Sequence, residues 1–223
     1  MKDFIKKQVN KDIKNRLIEQ LMDEEYPSTF DMEHFKTLSK FAERVRYCDQ
    51  HLKKISSGSA RIVYLVDDKM VLKLAKNQKG IAQCETEIQW GGDSYFDEIL
   101  ARTIEYHPDG LWVEMELARK VKKSDFSVLE DGINFDEFGK YLKNFELENN
   151  GRKPFYNMTD AHKEILNENQ FTQTICEFML NTDSPAGDLM RLNSYGIVNR
   201  NGEDIIVIID FGLTNDIYNE YYK

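Results

Sequence analysis

Ile205-Ile206-Val207-Ile208-Ile209-Asp210-Phe211-Gly212, together with the earlier run Gly187-Asp188-Leu189-Met190-Arg191-Leu192-Asn193, decides how this chain reads. Five consecutive β-branched aliphatic residues are stiff at χ1 and apolar on both faces, which reads as a buried β-strand. Asn199-Arg200-Asn201-Gly202 just before it reads as a hairpin turn, because Asn and Gly tolerate the positive φ such turns need. The strand therefore delivers Asp210 at its end, while Asp188 and Asn193 stand on the far side of the hairpin. Two carboxylates and an amide are hard oxygen donors of the kind a divalent cation takes, with one carboxylate available for proton transfer.

Upstream, Ile55-Ser56-Ser57-Gly58-Ser59-Ala60-Arg61-Ile62-Val63-Tyr64 sets a loop of small residues between two strand-like stretches. Beyond a Val66-Asp67-Asp68-Lys69-Met70 hairpin, Val71-Leu72-Lys73-Leu74-Ala75 places one lysine in an apolar strand. In this order the segments resemble the protein-kinase-like superfamily. The five positions from Asp188 to Asn193 match the interval of its catalytic loop, Asp210-Phe211-Gly212 its DFG triplet, and Val71 to Lys73 its V-A-I-K strand. Gly58 and Val63 fall on the middle glycine and the valine of G-x-G-x-x-G-x-V. The Gly187-Asp188 form leans toward the branch of aminoglycoside-phosphotransferase-like enzymes and toward a minimal kinase fold of bacterial or phage type.

The resemblance implies an α+β, bilobal fold with a small five-stranded antiparallel N-lobe (51–118), a truncated helical C-lobe (119–223) and an N-terminal helical extension (1–50). It implies ATP and Mg²⁺ as cofactors. Ser57, Gly58 and Ser59 would cradle phosphates, Lys73 would meet the α- and β-phosphates, and Glu87 would hold Lys73. Glu116 to Ala118 would be the hinge that hydrogen-bonds adenine, with Met115 lining the pocket. Asp188 would be the catalytic base, and Asn193 and Asp210 the metal ligands. Glu85 is the alternative to Glu87: on a helix over Lys79–Trp90 the two point about 200° apart, and an inward stripe of Ala82, Glu87 and Trp90 favours Glu87.

The departures from the family pattern matter as much. Ala186 stands where the family's catalytic loop has a histidine, Ser56 and Arg61 stand at the outer glycines, and eleven residues follow Gly212, leaving no room for an activation segment. The first reading is an ATP- and Mg²⁺-dependent phosphotransferase acting on a protein or small-molecule hydroxyl. A catalytically weak interaction protein is the second. AMP transfer is the third, with Arg61 as a phosphate contact.

Two amphipathic helices are expected ahead of the loop, one on Ile5, Val9, Ile13, Leu17 and Leu21, the other on Phe30, His34, Leu38, Phe41 and Val45 with Ser28 and Asp31 at its cap. Their apolar faces are expected to pack on the small lobe, with a dimer contact or protein-partner surface as the alternative. Glu98–Tyr106 and Leu111–Ala118 read as strands around a His107-Pro108-Asp109-Gly110 turn. Phe135–Phe145, Ala161–Leu166 and Phe171–Leu180 read as helices, the last stopped by Pro185. A net charge of −9, from 39 acidic and 30 basic residues, argues against broad nucleic-acid binding, and Arg119-Lys120-Val121-Lys122-Lys123 is a local basic exception. No apolar run approaches the ~20 residues of a membrane helix, and the charged N-terminus lacks an export signal's apolar block. Three scattered cysteines, Cys48, Cys84 and Cys176, fit free thiols in a cytoplasm, that of a host cell if the chain is phage-encoded.

Overall fold

A computed structural model describes residues 29–93 and 95–223. The expected helix on Ile5 to Leu21, and Ser28 at the expected cap of the second helix, lie outside the described residues.

Strands β1 (Lys53–Ser57), β2 (Arg61–Leu65), β3 (Met70–Ala75), β4 (Thr103–Tyr106) and β5 (Trp112–Glu116) form an antiparallel sheet in the order β1-β2-β3-β5-β4. The β2–β3 hairpin closes because the Asp67 carboxylate accepts from the Lys69 and Met70 N–H groups. Lys73 thereby lands mid-sheet, opposite Val63 on one side and Val113 on the other. Only half of the strand expected over Glu98–Tyr106 joins this sheet. Ile99–Ala101 leave it, since the Ala101 N–H donates to Ile208 O (3.0 Å) and the Ile208 N–H to Ile99 O (2.7 Å). That exchange ties the first lobe to a strand of the second.

The second lobe holds a short sheet, β6 (Arg119–Lys120), β7 (Tyr195–Arg200) and β8 (Glu203–Ile208), in the order β6-β7-β8. Asn201 (φ 55°) and Gly202 (φ 89°) make the expected two-residue turn between β7 and β8.

In chain order the helices are α1 (Met32–Thr37), α2 (Phe41–His51), α3 (Gln78–Trp90), α4 (Lys123–Leu129), α5 (Phe135–Asn149), α6 (Asp160–Glu168), α7 (Gln170–Thr182), α8 (Ala186–Leu189) and α9 (Asn215–Tyr221). Helix α4 was not legible, because it has only seven residues and one buried side chain, Phe126, and it begins on Lys123, the last residue of a basic surface run. Within that run Arg119 pairs with Asp204 and Lys123 with Asp136. Helix α7 ends before Pro185 comes into play, at Asp183, whose left-handed φ of 52° breaks the hydrogen-bond ladder.

The helix expected to run through Leu38 is broken there into α1 and α2. Asp31 caps α1 through its carboxylate, the chain turns extended at Leu38, and the buried Arg44 guanidinium takes the freed Leu38 carbonyl at 3.0 Å. The break lets Phe35 and Cys48, each fully buried, reach the outer face of the sheet beside Tyr64, Leu72 and Leu74. Phe35 meets Trp112 edge-on at 5.5 Å. The two described helices therefore pack on the small lobe, as their apolar faces implied. A larger core spans both lobes and includes Val113, Met115, Phe138, Ile175, Phe178, Val207 and Phe211. Among the described residues no helix is long and apolar enough to cross a membrane.

Glu114 on β5 is 5% exposed and lies opposite Glu105. Burial and the charges of Glu105 and Asp67 push its carboxyl up to about 7, with Lys36 opposing. The folded state thus favours the protonated acid, so its contribution to stability is full below the ordinary value of 4.5 and is lost as pH rises through about 7. Glu114→Gln is expected to raise Tm at pH 8 and to act much less at pH 5 in scanning calorimetry; equal shifts at both would contradict this assignment.

Candidate functional site

A cleft of about 620 Å³ opens where the two lobes meet, and it gathers residues from distant parts of the sequence. Ser56 comes from β1, Gly58 and Ser59 from the β1–β2 turn and Lys73 from β3. Met115 to Ala118 come from the connection between lobes, and Asp188, Asn193 and Asp210 from the second lobe.

Lys73 is held from two sides. Its ammonium donates to Glu87 Oε1 at 2.7 Å and to the Ile209 carbonyl at 2.6 Å. Glu87 has no exposed surface, because α3 turns Gly80, Gln83, Cys84 and Glu87 inward. Ala82 and Trp90 are only half-buried, so the inward stripe differs from the expected one although Glu87 belongs to both. Glu85 is exposed on the opposite side. Gly80 is obligatory for this packing, since a Cβ there would sit 2.2 Å from the Ala60 carbonyl oxygen.

Arg61 completes the cluster. This first residue of β2 donates from Nη1 to Glu87 Oε2 and from Nη2 to Asp210 Oδ1, each at 2.5 Å, with its side chain 9% exposed. Burial works against its charge, yet the two carboxylates outweigh that and hold the guanidinium firmly protonated. The expected phosphate contact is thus a carboxylate bridge. Arg61 stands at a position where the family pattern has glycine, and nothing in a one-dimensional pattern indicates where so long a side chain turns.

The phosphate-loop expectations are also modified. The Gly58 N–H is taken by the Arg61 carbonyl at 2.9 Å, and a Cβ at Gly58 would meet nothing closer than 4.0 Å, so the backbone does not require glycine there. Ser57 faces away from the cleft and Ser56 lines it instead. Lys76 donates to Ser57 Oγ and the Gly58 carbonyl, and Lys79 to Ser59 Oγ. These two lysines put positive charge on the loop. Sequence reading missed them because they lie past the lysine strand, outside any motif.

Asp188 sits in α8, a single turn that starts at Pro185. The histidine missing from this loop is replaced by other supports. Glu146 accepts from the Ala186 N–H at 2.9 Å, Ser194 Oγ donates to the Asp188 carbonyl at 2.7 Å, and buried Tyr195 donates its hydroxyl to the Leu189 carbonyl at 2.8 Å. Burial raises the Asp188 carboxyl above its ordinary value, Arg191 at 3.1 Å opposes this, and Asp210 adds to it. At Asp210 enclosure likewise disfavours the charge, but Arg61 and Lys73 outweigh it and hold the carboxyl below its ordinary value. Asn193 follows on a 3₁₀ turn, Leu192–Ser194.

The hinge candidates line the cleft, but the Glu116 side chain is committed elsewhere. It accepts from Arg200 Nη2 at 2.5 Å and Nε at 3.2 Å, and Arg200 also donates to the carbonyls of Asp97 and Leu100. The Glu116 N–H donates to the Arg102 carbonyl at 2.9 Å and the Leu117 N–H to the Lys69 carbonyl at 2.6 Å, so these two hinge donors are committed within the protein. At the other end, Phe211 packs beside Phe178, Gly212 lies against α3 where a Cβ would come within 2.5 Å of the Gln83 carbonyl, and Tyr222 accepts from Gln83 Nε2. Tyr222 also carries Lys79 over its ring at 4.6 Å and lines the cleft.

The described residues form two lobes, one built on a five-stranded antiparallel sheet and one mainly helical with a three-stranded sheet. No protein-family model matches the sequence, and no curated protein sequence does. Among solved structures it is similar to the streptomycin–ATP–APH(2″)-IIa ternary complex, at 16% identity over 79% of this chain and 72% of that one, with a TM-score of 0.37. It is similar to ADP-bound aminoglycoside phosphotransferase APH(2″)-Ib, at 16% identity over 77% and 69% with a TM-score of 0.37. SAICAR synthase from Saccharomyces cerevisiae, in complex with SAICAR, follows at 9% identity over 74% of each chain with a TM-score of 0.36. Likeness at this level says nothing about activity, which has to be argued from the cleft itself.

The cluster gives a direct test of which glutamate holds Lys73. Glu87→Gln strands two buried cations and is expected to cost about 3–5 kcal/mol in urea unfolding. Glu85→Gln, on the exposed face, is expected to stay within about 0.5 kcal/mol. Comparable losses for both would overturn the assignment.

Proposed function

We propose that this chain is an ATP- and Mg²⁺-dependent phosphotransferase that acts on a hydroxyl acceptor. The observation that carries the reading is one cleft lined at once by Lys73, Asp188, Asn193 and Asp210, with Lys73 fixed by a fully buried glutamate. Adenine would enter between Met115 and the backbone of Glu116 to Ala118, and the phosphates would run toward Lys73 and the loop carrying Gly58 and Ser59. The donor set of Asp210 and Asn193, two hard oxygens facing the same space, fits Mg²⁺. Bound there, the ion would neutralise charge on the β- and γ-phosphates.

Lys73 orients the α- and β-phosphates, which sets the γ-phosphorus in line for attack. Asp188 accepts the proton of the acceptor hydroxyl as its oxygen bonds to the γ-phosphorus and the bond to the ADP oxygen breaks. Burial suits Asp188 to this work, because a carboxyl raised from its ordinary value is the stronger base. Arg191, paired with Asp188, is positioned to meet an acceptor or the transferred phosphoryl group. Buried free thiols at Cys48, Cys84 and Cys176 fit a reducing compartment such as the cytoplasm.

The deciding experiment incubates the protein with Mg²⁺, a cell lysate and ATP labelled at the γ- or the α-phosphate. Transfer of γ label alone, lost in Asp188→Ala, is the expected result; transfer of α label, or γ transfer that persists in that variant, would overturn the reading. Asp210→Ala is expected to abolish Mg²⁺-dependent nucleotide binding, whereas Asp188→Ala spares it, as read by calorimetric titration. The acid limb of kcat/KM should lie above the ordinary aspartate value of 3.8, because the base must be ionised and its carboxyl is raised. Arg191→Gln removes the opposing charge and should move that limb to higher pH.

A further inference from the structure

Four charged side chains close on one another at the back of the cleft: Arg61, Lys73, Glu87 and Asp210. Two positive and two negative charges cancel, so the cluster is satisfied without any ligand. The unequal exposure of its members is informative. Glu87 is fully buried and the side chains of Arg61 and Lys73 are 9% and 8% exposed, but the Asp210 side chain is 62% exposed to the cleft. One arm of Arg61 is therefore locked on Glu87, and the other lies on the carboxylate of the cluster that a cleft ligand can reach.

We propose that Arg61 competes with the divalent cation for Asp210, so that metal and nucleotide bind together rather than metal first. The inference rests on the phosphotransferase reading, in which Asp210 is a metal ligand. The argument is electrostatic. A dication on Asp210 with the guanidinium still 2.5 Å from the same carboxylate would set three positive charges around one negative group. Arg61 must give up Asp210 first, and it cannot lose its proton to do so. Its second arm then needs a new acceptor. A triphosphate supplies one in the right place, because Arg61 opens the strand that leaves the Gly58–Ala60 turn and itself lines the cleft. A metal ion arriving alone brings no such acceptor. Its binding carries the whole cost of unpairing a buried guanidinium.

The test needs no turnover. Mn²⁺ binding is measured by electron paramagnetic resonance, with and without ATP, on the wild type, Arg61→Met, Arg61→Lys and Asp210→Asn. Without ATP, Arg61→Met is expected to bind Mn²⁺ about tenfold more tightly than wild type, the equivalent of one partly buried ion pair. Arg61→Lys, whose single ammonium reaches one carboxylate and not both, should also bind more tightly, and it decides the matter if the methionine variant fails to fold. With ATP present the gap between variants and wild type should narrow. A role confined to structure would leave affinity unchanged or lower it. If Asp210→Asn removes the Mn²⁺ site while the Arg61 variants bind no more tightly than wild type, the competition is refuted and the phosphotransferase reading stands. If the wild type takes up no Mn²⁺ even with ATP, both fall.

Discussion

Glu87 is the group on which the site depends. A carboxylate with no exposed surface is tolerable only when both its oxygens are paired, and here each takes a cation, Lys73 on one and Arg61 on the other. Helix α3 cannot rotate or slide without stranding that charge, and Gly80 and Gly91 press it against neighbours too close for any Cβ. Strands β2 and β3 are bound to the helix through the same carboxylate. The Ile209 carbonyl joins the second lobe to it through Lys73. A single buried anion thus fixes the mutual placement of helix, sheet and the strand end that presents Asp210.

The second lobe is organised around a different problem, holding the turn that carries Asp188 with alanine where the kinase-like pattern has a histidine. Ala186 leaves a buried place with no polar group, and the turn is fixed instead by Glu146 at its start and by Ser194 and Tyr195 from behind. Three hydrogen bonds from separate elements thus hold the turn. Charges around the cleft then divide the two aspartates. Asp188, buried with only Arg191 to oppose that, is raised, while Asp210, beside Arg61 and Lys73, is lowered. Neighbouring carboxyls driven apart in this way suit one to proton transfer and the other to holding a cation.

Much of this was legible in one dimension because it rests on local chemistry. The apolar run ending at Ile209 made a strand, Asn201-Gly202 made its turn, and a lysine enclosed by Leu72 and Leu74 had to lie mid-sheet. Glu87 was favoured over Glu85 by helical periodicity alone. What failed were features that depend on what a segment meets. Ile99–Ala101 have strand chemistry and do pair, but with β8 of the other lobe, which no local pattern distinguishes from pairing with β5. The helix over Phe30 to Val45 broke at Leu38 because Phe35 and Cys48 both pack against Tyr64, Leu72 and Leu74 of the sheet, a contact its own periodicity does not encode. Lys76 and Lys79 came to the loop by folding across it.

By itself the sequence determined the order of elements, the α+β bilobal architecture and the identity of Lys73, Glu87, Asp188, Asn193 and Asp210 as the polar groups to watch. Local pattern encodes the elements, and the motifs that resemble the protein-kinase-like superfamily pointed to the lobes and to these residues. Only the tertiary structure decided that Arg61 would lie across Glu87 and Asp210, since a long flexible side chain is directed by the charges it can reach, and these lie 26 and 149 residues away along the chain.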